Sequence, residues 1–157
     1  MMNPKKTRLT RPLYVLAMAV VMCGGMVNSS YGQEAAQESL ATSGERCQAI
    51  FDDVQAGISS GNVALLARHF APQVDVSLRG AESGTFSSNQ AFYVFEDFFR
   101  TRKFSRLRFS TVGEADSNPY ATGSADLFYK GNRELVQVYV ALMYAGEKHV
   151  ITQLNIY

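Results

Sequence analysis

Tryptophan is absent from these 157 residues, and cysteine and histidine occur only twice each. Cys23 lies in an apolar N-terminal run and Cys47 beyond it, so the chain offers neither a disulfide framework nor a zinc-ligand spacing. His69 and His149 do not join acidic residues in any ligand pattern, and no metal or other cofactor is expected. No serine sits in a nucleophile elbow, and no glycine-rich phosphate loop follows a strand. Charge of one sign is scarce too, since 15 basic residues face 14 acidic ones. The one long apolar stretch, "PLYVLAMAVVMCGGMV", is short and glycine-interrupted for a membrane span.

That stretch has the form of an export signal instead. Lys5, Lys6, Arg8 and Arg11 make a positive n-region before it, and Ser30 and Gly32 place small residues at −3 and −1 of a cleavage point before Gln33. Residues 1–32 are read as a signal peptide, so the protein is expected to be exported, periplasmic or secreted. Met22 is large for the position before a lipidated cysteine, which disfavours a lipoprotein. Membrane contact is expected only if the leader stays uncleaved. Its loss removes four basic residues and no acidic ones, and the formal charge falls from +1 to −3. A mildly acidic exported domain gives no reason to expect a nucleic-acid partner.

Residues 33–43 are small and polar and read as a disordered linker. The folded domain is assigned to 44–157. Cys47, Ile50, Phe51, Val54 and Ile58 form one apolar helical stripe, which makes Cys47 a buried, inert thiol. Gly61 suits the end of that helix and Asn62 the cap of the next. The second stripe is Val63, Leu66, Ala67 and Phe70, ended by Pro72, with His69 partly exposed beside it. Val74, Val76 and Leu78 alternate with Asp75, Ser77 and Arg79 as a half-buried strand, followed by a turn between Gly80 and Gly84. Ser87 and Gln90 have the spacing of a capping box for a third helix.

Period two replaces 3.6 after that helix. Leu107 and Phe109 alternate with Arg106 and Arg108; Ala121, Gly123, Ala125 and Leu127 alternate with Thr122, Ser124 and Asp126. A hairpin is expected at Gly131-Asn132, then strands through Val136–Leu142 and Val150–Ile156, with His149 exposed at the start of the last. The order is helix, helix, strand, helix and four strands, an α+β domain of three helices packed on one face of an antiparallel sheet.

"FYVFEDFFRTRKFSRLRF" concentrates aromatics and cations, Phe92 to Phe109. On a helical wheel Ala91, Phe92, Val94, Phe95, Phe98 and Phe99 share one face, opposite Tyr93, Glu96, Asp97 and Arg100. The rings are segregated from the cations, unlike a base-stacking platform. Arg100, Arg102 and Lys103 complement the helix C-terminus. The stretch is a core helix leading into a strand. Its bulky face opposite small strand residues outlines a candidate pocket of Phe95, Phe99, Ala121, Gly123 and Ala125. Leu135, Tyr139, Ala141 and Met143 form a second apolar face on the other side of the sheet. Ile151 and Tyr157 have the matching parity on the last strand, and the six together make a candidate interface.

This order of elements resembles the nuclear-transport-factor-2-like superfamily. Ile58 with Gly61-Asn62, Leu66-Ala67, Phe70, Phe86-Ser87 with Gln90-Ala91, Phe98-Phe99, Phe104, Gly113, Tyr120, Gly123 and the closing "ITQLNIY" are similar to a secreted bacterial branch known as domain-of-unknown-function family 4783. The resemblance implies a cone-like fold wrapped around the third helix, a pocket at its open end, and a homodimer through the outer sheet face. Enzymes of the superfamily work with a carboxylate base or a His/Asp pair inside the cone. Here Asp75 and Asp126 have outward parity, and no catalytic residue is assigned. The expected function is non-catalytic binding, of a small apolar or amphipathic ligand in the cone or of a protein or envelope partner on the outer sheet face. The alternative is an isomerase- or dehydratase-like enzyme acting on a small apolar substrate.

Overall fold

The structure, a computed structural model, describes residues 31–115 and 118–157, with side chains from Gly44 onward except at Ala115. Most of the expected leader lies outside the described residues. Helix α1 spans Tyr31–Ser60, α2 Val63–Ala67 and α3 Ser88–Thr101. The strands are β1 Phe70–Leu78, β2 Ser83–Ser87, β3 Lys103–Ala115, β4 Asn118–Tyr129, β5 Asn132–Tyr144 and β6 His149–Ile156. They form one six-stranded sheet in the order β2-β1-β6-β5-β4-β3. Five strands were expected; the sixth, β2, pairs with β1 as a short hairpin across the Gly80 turn. The sheet is antiparallel except where β1 and β6 run parallel. It is curved and unclosed, with the helices on one side.

Three local expectations shift. Residues 33–43 lie within α1 rather than in an unstructured linker, as their Ala, Glu, Gln and Leu content allows. The second helix is a single turn or so, and Phe70 opens β1. Pro72 disfavours helical backbone at Ala71, and the His69 carbonyl accepts from the Ile151 amide at 2.6 Å, drawing the chain into the sheet. The β4–β5 hairpin turns at Lys130-Gly131, one residue earlier than expected. Both residues have positive φ, 49° and 79°, as a two-residue hairpin of this hand requires.

Both helix caps form as the sequence suggests. The Asn62 side chain accepts from the Ala64 amide at 3.1 Å, and the Asn62 amide donates to the Gly57 carbonyl at 2.9 Å, closing α1 through Gly61. At α3, the Ser87 Oγ accepts from the Gln90 amide while the Gln90 Oε1 accepts from the Ser87 amide. The cap fixes where α3 begins, and so which rings face the sheet.

Phenylalanine holds the layers together. Phe95 packs on Phe70 of β1 at 5.8 Å between ring centroids, and Phe98 and Phe99 pack on Phe104 of β3 at 5.9 and 5.6 Å. Phe51 of α1 meets Phe109 of β3 edge-on at 5.9 Å. Arg102 adds a polar tie. Its guanidinium lies 4.5 Å from the Phe98 ring and 4.4 Å from the Tyr129 ring, and donates to the Gly80 carbonyl at 3.1 Å. One side chain thereby joins the end of α3 to the β1–β2 turn and to the end of β4.

The edge strand β3 carries two register breaks against β4, one between Ser105 and Arg108 and one between Phe109 and Thr111. Arg106 adopts a left-handed φ of 58° at the first. The bulged strand then crowds β4: a Cβ at Gly123 would sit 2.2 Å from the Arg108 carbonyl oxygen. Gly123→Ala is expected to lower the unfolding free energy in a urea titration by about 2–3 kcal/mol, because the obstacle is backbone. Gly44→Ala, on an open helical site with nothing within 4 Å, should raise it by about 0.5–1 kcal/mol.

Candidate functional sites

The outer face of the sheet is the first candidate. On β5, Val136, Val138, Val140 and Leu142 are buried under the helices, and Leu135, Tyr139, Ala141 and Met143 point the other way. Leu135 is 68% exposed, Met143 45% and Tyr157 52%, whereas Tyr139 and Ala141 are half-buried. Tyr120 stacks on Tyr139 at 6.1 Å and extends the apolar stripe onto β4. Ile151, expected on this face, belongs to the core instead. Leu142 pairs with Ile151 but Ala141 pairs with Gln153, so Thr152 is an extra residue in β6 and the parity reverses across it. A bulge has no periodic signature in a single sequence, which is why simple alternation misplaced Ile151.

Asp126 lies on this outer face as its parity predicts, yet it is only 9% exposed. Arg133 Nη2 donates to both of its carboxylate oxygens at 2.9 Å. Asp75 is exposed and accepts from the Thr85 hydroxyl on β2. Neither carboxylate is directed into the helix-covered side of the sheet.

Of the five expected pocket residues, Phe95, Phe99, Ala121 and Ala125 are part of the buried core, and Gly123 is buried with them. At Gly123 the missing side chain makes room for the backbone of β3. Phe99 also reaches the wall of a cleft of about 880 Å³ between α2, α3 and the start of β3. A second cleft of about 330 Å³ lies along the other flank of α3, between Val94, Phe98, Arg102 and Glu82. Tyr93 and Asp97 border both. Sequence reasoning missed the pair, because a cleft between helices depends on how far apart they pack.

The titratable residues are scattered. His69 Nε2 is 2.7 Å from Asp53 Oδ2, and Arg68 pairs with the other oxygen of the same carboxylate. This group ties α1 to the start of β1 at the surface. His149 does open β6, but it is 9% exposed rather than exposed, its ring 5.2 Å from that of Tyr144. Tyr144 stands at the end of β5 and shields it. Burial pushes the Cys47 thiol up, and the nearby Glu114 carboxylate adds to the effect. Among the described residues no group of three or more His, Cys, Asp or Glu could hold a metal ion.

A family model described as a domain of unknown function, DUF4783, matches residues 51–157. The chain belongs to this family. A DUF4783 protein from Bacteroides uniformis is 19% identical, with a TM-score of 0.59 over 67% of this chain and 93% of its own. Beyond the family, a candidate dehydratase of the NTF2-like family from Streptomyces avermitilis is 8% identical with a TM-score of 0.56, covering 71% of this chain and 92% of its own. An epoxide hydrolase-like protein from M. tuberculosis is also 8% identical, with a TM-score of 0.52 over 69% and 78% of the two chains. At such identities the likeness is one of fold. No curated protein matches the chain.

This DUF4783 domain therefore has the nuclear-transport-factor-2-like cone fold that its residues resemble. Its thiol offers a direct check on the core. Because the folded thiol titrates above its ordinary value, its contribution to stability is full below the unfolded pKa and is lost as pH rises through the folded one. Alkylation of Cys47 by iodoacetamide at pH 8 should run more than about tenfold slower in the folded domain than in urea, since burial and the raised pKa both suppress the thiolate. Equal rates would mean that the α1 stripe is not packed as described.

Proposed function

We propose that this DUF4783 domain is an exported, non-catalytic binding domain that works as a homodimer joined through the outer face of its sheet. The observation that carries the reading is the exposure of Leu135 and Met143 on β5, whose opposite face is buried from Val136 to Leu142, and of Tyr157 just past β6. Apolar side chains lined along one sheet face leave water when a second sheet covers them, and a self-complementary two-fold contact is the simplest cover. Tyr120 and Tyr139 supply stacked rings at the centre of the patch, where interface energy concentrates. Export rests on the leader, with its n-region at Lys5–Arg11 and small residues before Gln33.

The absence of catalysis is supported by where the charges stand. The named activities of the NTF2-like dehydratase and of the epoxide hydrolase-like protein belong to those proteins. An acid–base reaction in this cone would need an inward carboxylate of tuned pKa. Asp75 and Asp126 face outward, the latter neutralised by Arg133. A small apolar ligand in the cone is compatible with the same dimer, and is the second occupant to look for.

Native mass spectrometry of the exported protein is expected to give a dimer whose chains begin at Gln33. A dimer carrying a further mass of a few hundred daltons, lost on denaturation, would add a ligand in the cone. Leu135→Asp with Tyr139→Asp should yield a monomer of unchanged circular dichroism, because both side chains lie outside the core. A monomeric wild-type protein would overturn the dimer, and chains that retain residues 1–32 would overturn the leader assignment.

A further inference from the structure

The cleft between α2 and α3 has a chemistry that neither the dimer nor the cone uses. Its floor is apolar, made by Val63 of α2 and by Phe92 and Phe99 of α3. Its rim carries ionic groups of both signs. Arg100 is already paired with Asp97 on α3. Glu96 and Lys103 line the same cleft, and among the described residues neither has a charged partner. Both are exposed. The cleft thus presents one unneutralised carboxylate and one unneutralised ammonium group beside a hydrophobic floor.

These two groups have a defined separation. Glu96 lies on α3 and Lys103 just past its end at Thr101, where β3 begins. Five residues of helical rise and two of extended chain put their Cα atoms about 10–14 Å apart. Three or four residues of extended peptide span about the same length. A volume of about 880 Å³ lies within the range of small-ligand clefts and has room for such a molecule.

We propose that the α2–α3 cleft binds a short zwitterionic peptide of apolar residues, three or four long. Its terminal ammonium group meets Glu96, its terminal carboxylate meets Lys103, and its side chains lie on Val63, Phe92 and Phe99. Uncharged lipids gain nothing from either rim group, and a singly charged ligand leaves one of them unmatched. The site is separate from the outer sheet face, so it is open to test in a monomer or a dimer.

The test is a titration of the 15N-labelled folded domain with alanyl-phenylalanyl-leucine and with its N-acetylated and C-amidated forms. Binding of the free tripeptide is expected to move the amide signals of Gly61–Ala64 and Phe92–Lys103, and each blocked form should bind about fivefold more weakly, the loss of one partly exposed ion pair. Glu96→Gln should remove the advantage of the free amine while keeping that of the free carboxylate, and Lys103→Gln should do the reverse. Both positions are exposed, and unchanged spectra elsewhere will verify folding. No perturbation at millimolar peptide would overturn the proposal. So would shifts confined to the outer sheet face, or variants that respond equally to all three peptides. The oligomeric state, read from the same samples, is unaffected by these outcomes, so the dimer stands or falls separately.

Discussion

The fold depends on one helix touching two distant strands. Phe95 of α3 packs on Phe70 of β1, and Phe98 and Phe99 pack on Phe104 of β3. In the sheet order, β1 and β3 are separated by β6, β5 and β4. A flat sheet would hold them about 19 Å apart, at about 4.8 Å per strand. Rings within 6 Å of one another at both ends require the sheet to curl around α3. The cone is therefore a consequence of filling one helix face with phenylalanine. Arg102 reinforces it from outside, lying against the Phe98 and Tyr129 rings while holding the Gly80 carbonyl.

Curling gives the two faces of the sheet different fates. The inner face is closed by α1 and α3, and its small residues on β4 accommodate neighbouring backbone: Gly123 is small because the bulged β3 comes within 2.2 Å of where its Cβ would be. The outer face has no covering element among the described residues. It has instead a mixture of apolar and satisfied polar groups, with Asp126 neutralised by Arg133 and Tyr120 stacked on Tyr139.

Much of the architecture was legible because it is periodic or punctuated. The α3 stripe, the β4 and β5 alternation, the Asn62 cap and the Ser87–Gln90 capping box each leave a local pattern, and each forms. The errors fall where pairing overrides pattern. Phe70 continues the helical stripe of α2 but lies in β1, because its neighbour His69 is bonded to Ile151, more than eighty residues later in the chain. Ile151 alternates with Val150 as an outer residue should, but the extra Thr152 reverses it into the core. β2 was invisible, since "SGTFS" has little apolar content and becomes a strand by pairing with β1. His149 looks exposed beside a turn and is covered by the ring of Tyr144.

The sequence by itself determined the apolar faces of α3, β4 and β5 and the places of the caps at Asn62 and Ser87. It did so because these properties are set by neighbours two to four positions apart. Only the tertiary structure decided the register across β5 and β6, the burial of Asp126 and His149, the clamp made by Arg102, and the width of the cleft beside Glu96 and Lys103. Those features depend on distances between segments remote in sequence, which are fixed when the core closes and carry no local signal before it does.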